Sequence, residues 1–286
     1  MTELQVNSTD FNQILTSDDA IDNEVMTGCR MYAQSFVHWR IWLYMAVSEI
    51  RRRYRRTLLG PFWATLSVAI FIGCMGMVFP MLWHTDVQSF LPFFSAGFIV
   101  WTFVSTTIND ACGTFIDAGN LIKQVNLPYP TYAFSAVTRN FLTMLHHLAV
   151  YVPIMLIFHV PINLNTLLFL PAMIILCLTS SWVCVLLGFL TARFRDMKQI
   201  ISSLLQISIF VTPIFWRPSQ LGSSLYAQIL VAINPLYHFV EIVRAPLLGQ
   251  QPASIDWIAS IGFCLLGWLL TMKVVGKYYK HLVFWL

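Results

Sequence analysis

Residues 51–83 read RRRYRRTLLGPFWATLSVAIFIGCMGMVFPMLW: an arginine cluster, a Gly60-Pro61 break, and then a charge-free apolar run from Phe62 to Trp83. A hydrocarbon core about 30 Å thick takes roughly 20 apolar residues of helix, so the run is long enough to cross a bilayer. The same criterion, applied outward from this stretch, picks out 90–108, 140–158, 166–191, 200–216 and 257–275. The composition agrees. Of 286 residues, 57% are hydrophobic and 10% charged, and the mean hydropathy is +0.68, where an ordinary soluble domain carries about 25% charged residues. The fold class read from this is an all-α integral membrane protein of six transmembrane helices.

The positive charges orient these spans. Arg30, Arg40, Arg51, Arg52, Arg53, Arg55 and Arg56 precede the first. Lys123 and Arg139 lie between the second and third, Arg193, Arg195 and Lys198 between the fourth and fifth, and Lys273, Lys277 and Lys280 flank the last. Only Arg217 and Arg244 fall on the other side. Lys and Arg mark cytoplasmic loops, so both termini of this multi-pass chain are expected in the cytoplasm. Residues 1–29 carry acids but no Lys or Arg and read as a mobile tail; residues 30–286 form the transmembrane domain.

What is missing narrows the function. No Asp or Glu lies inside the six runs, which argues against ion-coupled carriers and proton pumps. His146 and His147 sit in the third run. They read either as a proton or metal site or, the favoured reading, as neutral imidazoles bonded to neighbouring helices, and no metal site is nominated. The six cysteines form no C-x-x-C pair. There is no phosphate-binding loop or hydrolase motif, so any energy for uphill work must come from another polypeptide. No nucleic-acid partner is expected.

Three stretches are neither spans nor simple loops. In 30–58, Phe36, Trp39, Leu43, Val47, Ile50 and Tyr54 recur at helical spacing, with Arg51, Arg52 and Arg55 on other faces. Such a helix lies in the membrane interface in contact with lipid headgroups. The long connection 109–139 carries a short helix presenting Ile116, Leu121 and Ile122, stopped by Pro128 and Pro130. It suits docking on a partner or packing back on its own bundle. In 217–256, the patterns 224–233 and 236–247 are split by Asn234-Pro235 and are too short to span, as expected of re-entrant helices. Glu241 and Arg244 are placed to pair.

These stretches, in this order, resemble the ABC-2 type transporter permeases of the branch that exports lipid-linked polysaccharide of O-antigen or capsule type. The likeness is carried by RYRRTLLGPFW (53–63), NLIKQVNLP (120–128), ARFRDM (192–197) with TPIFW (212–216), and NPL (234–236) with Glu241 and Arg244. The resemblance implies a homodimer served by a separate ABC ATPase subunit that binds the ATP and Mg, with no cofactor on this chain. It implies that Ile116, Asp117, Asn120, Leu121, Lys123 and Gln124 belong to a cytoplasmic coupling helix. Trp39, Arg51, Arg52 and Arg55 would belong to an N-terminal amphipathic interface helix, and Asn234, Pro235, Glu241 and Arg244 to outer gate helices. The fifth run, with Ser202, Gln206 and Phe210, is the most polar and is expected to line the pathway with Phe94, Phe98 and Trp101 of the second. Rival readings are an ABC-2 permease for teichoic acid, lipid or drug, and an integral-membrane glycosyl- or acyltransferase, for which only Asp110, Asp117 and Asp196 are available inside.

Overall fold

The computed structural model of the chain describes residues 24–58, 60, 62–221, 229 and 231–286. Every regular element among them is helical. The chain is helical over 24–37 (α1), then forms α2 (Trp39–Arg53), α3 (Phe62–Trp83), α4 (Val87–Ala111), the short α5 (Thr114–Asp117) and α6 (Gly119–Gln124), and α7 (Pro130–Ile157). A 3-10 turn (Leu164–Leu168) leads into α8 (Phe169–Arg193). After α9 (Met197–Val211) come α10 (Pro235–Leu247) and α11 (Ser254–Trp285).

Among the described residues, five helices are long and apolar enough to cross a membrane: α3, α4, α7, α8 with its leading turn, and α11. The fifth run of the sequence reading, 200–216, departs from this. Its helix α9 has 15 residues, about 22 Å at the α-helical rise. Pro213 disfavours a helical residue before it, and Thr212 is extended at φ −80°, ψ 133°. The chain then turns inward and buries Ile214 and Phe215. In the other direction, α7 starts ten residues before the hydropathy edge at 140. Its first turns bury Thr131, Ser135 and Asn140 against protein, where polar groups are tolerated at helix contacts. Only residues 112–129 therefore separate α4 from α7.

Helix α4 is the hub. It buries Phe94, Ile99 and Val100 completely, as expected of a helix with others packed around it. α3, α7, α8, α9 and α10 all contact it. By contrast, α3 buries a single stripe, Val68, Ile72, Gly76 and Pro80, at four-residue spacing, and α9 buries only Leu205.

Residues 1–23 of the expected tail lie outside the described residues. Glu24 to Cys29, assigned to that tail from sequence, are helical. There α1 meets α11 backbone to backbone: a Cβ on Gly28 would fall on the Met272 carbonyl, and one on Gly276 on the Glu24 backbone. Tyr32 stacks edge-on against Trp268 at 4.6 Å, and Thr131 of α7 donates to Ser35 at 3.1 Å.

The contacts separate the bundle into two ends. One holds the Arg51–Arg56 cluster, α5, α6 and the C-terminus, with Arg193 over the Trp285 ring at 5.6 Å. The other holds Arg217, Arg244 and Asp256, and there Asn163 donates to the Gly249 carbonyl at 2.8 Å.

Candidate functional site

At the arginine-rich end, the segment 114–124 forms two short helices, α5 and α6, broken at Ala118. Phe115, Gly119 and Ile122 are buried, whereas Ile116, Asp117, Asn120, Leu121, Lys123 and Gln124 are exposed. Ile122, expected on the presented face, is instead an anchor. With Phe115 and Gly119 it stands at four- and three-residue spacing, one stripe turned toward the bundle. Phe115 is fully buried, edge-on to Phe189 at 5.2 Å. It occupies the space that a side chain at Gly188 would take: a Cβ there would lie 2.7 Å from the ring. A glycine in α8 thus seats the segment, and its outer row is left free for another surface.

Beside it, a cavity of about 330 Å³ is bounded by Glu49, Arg52, Arg53, Asp110, Asp117 and Arg139. Arg139 of α7 is its organising group. It donates to Glu49 of α2 and, at 2.7 Å, to Asp110 of α4. Asn140 donates to the same Asp110 oxygen at 3.0 Å. One arginine therefore clasps three helices beside α5 and α6. From sequence, Arg139 was counted as a loop charge and Asp110 as a scattered acid. The signal was their place inside helical stretches otherwise free of charge.

The interface helix is also rotated from its expected face. α2 turns Trp42, Met45, Ala46 and Glu49 toward α7, and Trp39, Arg51, Arg52 and Arg55 are exposed. α1 and α2 meet at His38, and the run ends at Arg56, which takes a left-handed φ of 72°.

At the far end, Asn234 caps α10 by accepting from the Leu236 amide at 3.0 Å and donates to Thr212 at 3.0 Å, with Pro235 in the first turn. Ser224–Ile233, the first of the two expected outer patterns, lies mostly outside the described residues. Arg244 is 1% exposed. It donates through Nε and Nη2 to Glu241, through Nη1 to the Pro213 carbonyl at 2.6 Å, and lies 3.9 Å from the Phe93 ring centre. Gly97 makes room for it, since a Cβ there would meet Nη1 at 3.2 Å. His238 and Asp256, which the sequence reading passed over, form a second buried pair at 2.7 Å joining α10 to α11.

The expected pathway residues divide. Phe94, Phe98 and Trp101 are buried within the chain; Phe94 stacks on Phe90, Phe98 and Phe215, and Phe98 on Phe71. The stacked phenylalanines hold α3, α4 and the 212–216 turn together. On α9, Ser202 is half-buried, while Gln206 and Phe210 are exposed on one face. His146 bonds the Leu142 carbonyl of its own helix, not a neighbouring helix, and both ring nitrogens of buried His147 lack partners. No third metal-ligating residue joins them among the described residues.

A family model described as ABC-2 type transporter matches residues 40–248. The chain is 22% identical over 221 residues to the O-antigen export system permease protein RfbA of Myxococcus xanthus, covering 76% of this chain and 83% of that protein. Two proteins of the same description from Klebsiella pneumoniae are 18% and 19% identical over 235 residues, covering 80% of this chain and 90% of each. The matched region contains α2, the Arg139 clasp, the exposed row on α5 and α6, and the Glu241–Arg244 pair. With five helices long and apolar enough to span a bilayer, this multi-pass membrane protein belongs to the ABC-2 type transporter family.

Proposed function

We propose that the chain is the transmembrane permease subunit of an ATP-driven exporter that moves a lipid-linked polysaccharide, of O-antigen or capsule type, outward across the bacterial inner membrane. The observation that carries the transport reading is the exposed row Ile116, Asp117, Asn120, Leu121, Lys123 and Gln124, held rigidly from behind by Phe115 in the Gly188 notch. A mixed apolar and charged row on a short, anchored helix pair fits the cleft of a partner. The polysaccharide class is supported by the names of the relatives.

In this reading both termini are cytoplasmic, in keeping with fifteen of the seventeen Lys and Arg residues on that side. The shorter α9 completes six passes. Two copies of the chain pair with two ATPase subunits, which bind ATP and Mg. The exposed, polar face of α9, with Ser202, Gln206 and Phe210, faces the pathway between the copies. ATP-driven closure of the partner pushes α5 and α6, and the Arg139 clasp passes the movement to α2, α4 and α7 together. Asn234, Pro235, Glu241 and Arg244 serve the outer gate. Trp39, Arg51, Arg52 and Arg55 meet lipid headgroups at the inner face.

The test is charge reversal at Asp117 or Lys123 in the full-length protein. Both side chains are exposed, so membrane insertion stays normal. Co-purification of the ATPase falls, and the polymer accumulates inside the cell on staining. Normal surface polysaccharide from both variants would remove the coupling role.

A further inference from the structure

The far end holds a space that the outer-gate role proposed for Glu241 and Arg244 leaves unassigned. A cavity of about 520 Å³ is lined there by Arg217, Arg244, Glu241, Tyr237, Gln88 and Gln250 among others, a size typical of small-molecule sites. Its charges do not cancel. Arg244 is neutralised by Glu241, whose Oε2 accepts from both Nε and Nη2. Arg217 has no carboxylate partner among the described residues. Its Nη2 donates to the Ser89 carbonyl, its guanidinium lies 4.8 Å from the Phe93 ring centre, and its backbone amide donates to Gln220 Oε1 at 2.8 Å. The other acids described at this end are engaged elsewhere: Asp86 caps the start of α4, and Asp256 is buried with His238. Burial, and then the neighbouring Arg244, lowers the pKa of Arg217 from its usual range. The site therefore holds a fixed excess of positive charge at the end where membrane proteins are poor in Arg and Lys.

The surrounding groups specify what would relieve that charge. Two guanidinium groups lie against the Phe93 ring, Arg244 at 3.9 Å and Arg217 at 4.8 Å, so their cationic ends are close together. A guanidinium fork matches the oxygens of a phosphate better than it matches a single hydroxyl. Gln88, Ser89, Tyr237 and Gln250 supply further polar groups around the same space, and Phe158, Val160 and Leu248 supply an apolar side. A phosphate with a hydrocarbon attached meets both.

We propose that this cavity is a binding site for a phosphate group, of the kind a phospholipid headgroup carries, with Arg217 as its principal ligand and the Arg244–Glu241 pair as a neutral wall. Binding there ties the segment around Arg217 to α4 and α10.

The test uses full-length protein in nanodiscs containing phosphatidylglycerol that carries a photoactivatable headgroup, with labelled peptides mapped by mass spectrometry. In parallel, binding of radiolabelled inorganic phosphate is measured by equilibrium dialysis in neutral detergent. Label is expected on the peptides bearing Arg217 and 237–250. Removing a charge-assisted pair in Arg217→Gln should lower it at least about fivefold, and Arg217→Lys should retain most of it. Label on 49–56 serves as the internal control for folding and lipid access and stays constant. Phosphate retention without lipid labelling, lost in Arg217→Gln, supports the site and assigns its ligand to a soluble phosphate. Loss of neither signal in Arg217→Gln overturns the proposal.

Discussion

The two ends of the bundle each hold a buried arginine, and the arginines are wired differently. At the arginine-rich end Arg139 joins three helices, because its carboxylates come from α2 and α4 while it stands on α7. At the far end Glu241 and Arg244 lie three residues apart on one helix, and Arg244 reaches beyond it to the Pro213 carbonyl and the Phe93 ring. Wiring between elements transmits movement; wiring within one element neutralises charge and lets that element move whole. Exposure differs in the same sense. Arg244 is 1% exposed, whereas the side chains of Arg139, Asp110 and Glu49 keep 13%, 24% and 29%. The far pair is therefore the more costly to break and the inner clasp the more consequential for coupling.

Substitutions at the two ends should separate these properties. The largest loss of stability is expected from Glu241→Ala, which strands the Arg244 charge in the interior at a cost of about 4 kcal/mol. The double variant Glu241→Ala with Arg244→Met should recover most of this in thermal unfolding of the purified protein. Equal melting of the single and double variants would mean that the pair is solvated. Next, Arg139→Ala should cost about 2 kcal/mol, because its two carboxylates partly regain water. Its effect on export should exceed that of Glu241→Ala at matched protein level, and transport assays that rank the two the other way would break the contrast. Gly188→Ala overpacks the Phe115 seat and should cost about 1–2 kcal/mol. Its signature is loss of ATPase co-purification at unchanged α10 stability. The smallest effect, about 1 kcal/mol, is expected from Asn234→Ala, which removes the cap of α10. Faster hydrogen exchange confined to the first turn of α10 would register it.

Some of this architecture was legible in the chain. Helix α3 matches the apolar run 62–83 at both ends, because its limits are set by solvent preference alone: a Gly-Pro break and arginines before it, and Trp83 at its end. Of the face expected on the short inner helix, Ile116 and Leu121 are exposed but Ile122 is buried, because an apolar pattern does not say which side meets protein. The start of α7 was not legible, because Thr131, Ser135 and Asn140 are polar by composition yet buried by position. The buried face of α2 was also displaced. Trp39 and Phe36 carried the periodic pattern, but apolar rings at a membrane surface are satisfied by lipid as well as by protein, so hydropathy could not choose between them.

The amino-acid sequence by itself determined that the chain enters a membrane as helices, which of its loops gather the positive charge, and where Pro128 and Asn234-Pro235 interrupt the helical pattern. These follow from local transfer energies and backbone chemistry. Only the tertiary structure decided that Phe94 and Phe98 pack inside the protomer, that Gly188 receives Phe115, and that Glu49, Asp110 and Arg139 converge. Such pairings depend on which helix faces which, and hydropathy along a single strand of sequence carries no term for that.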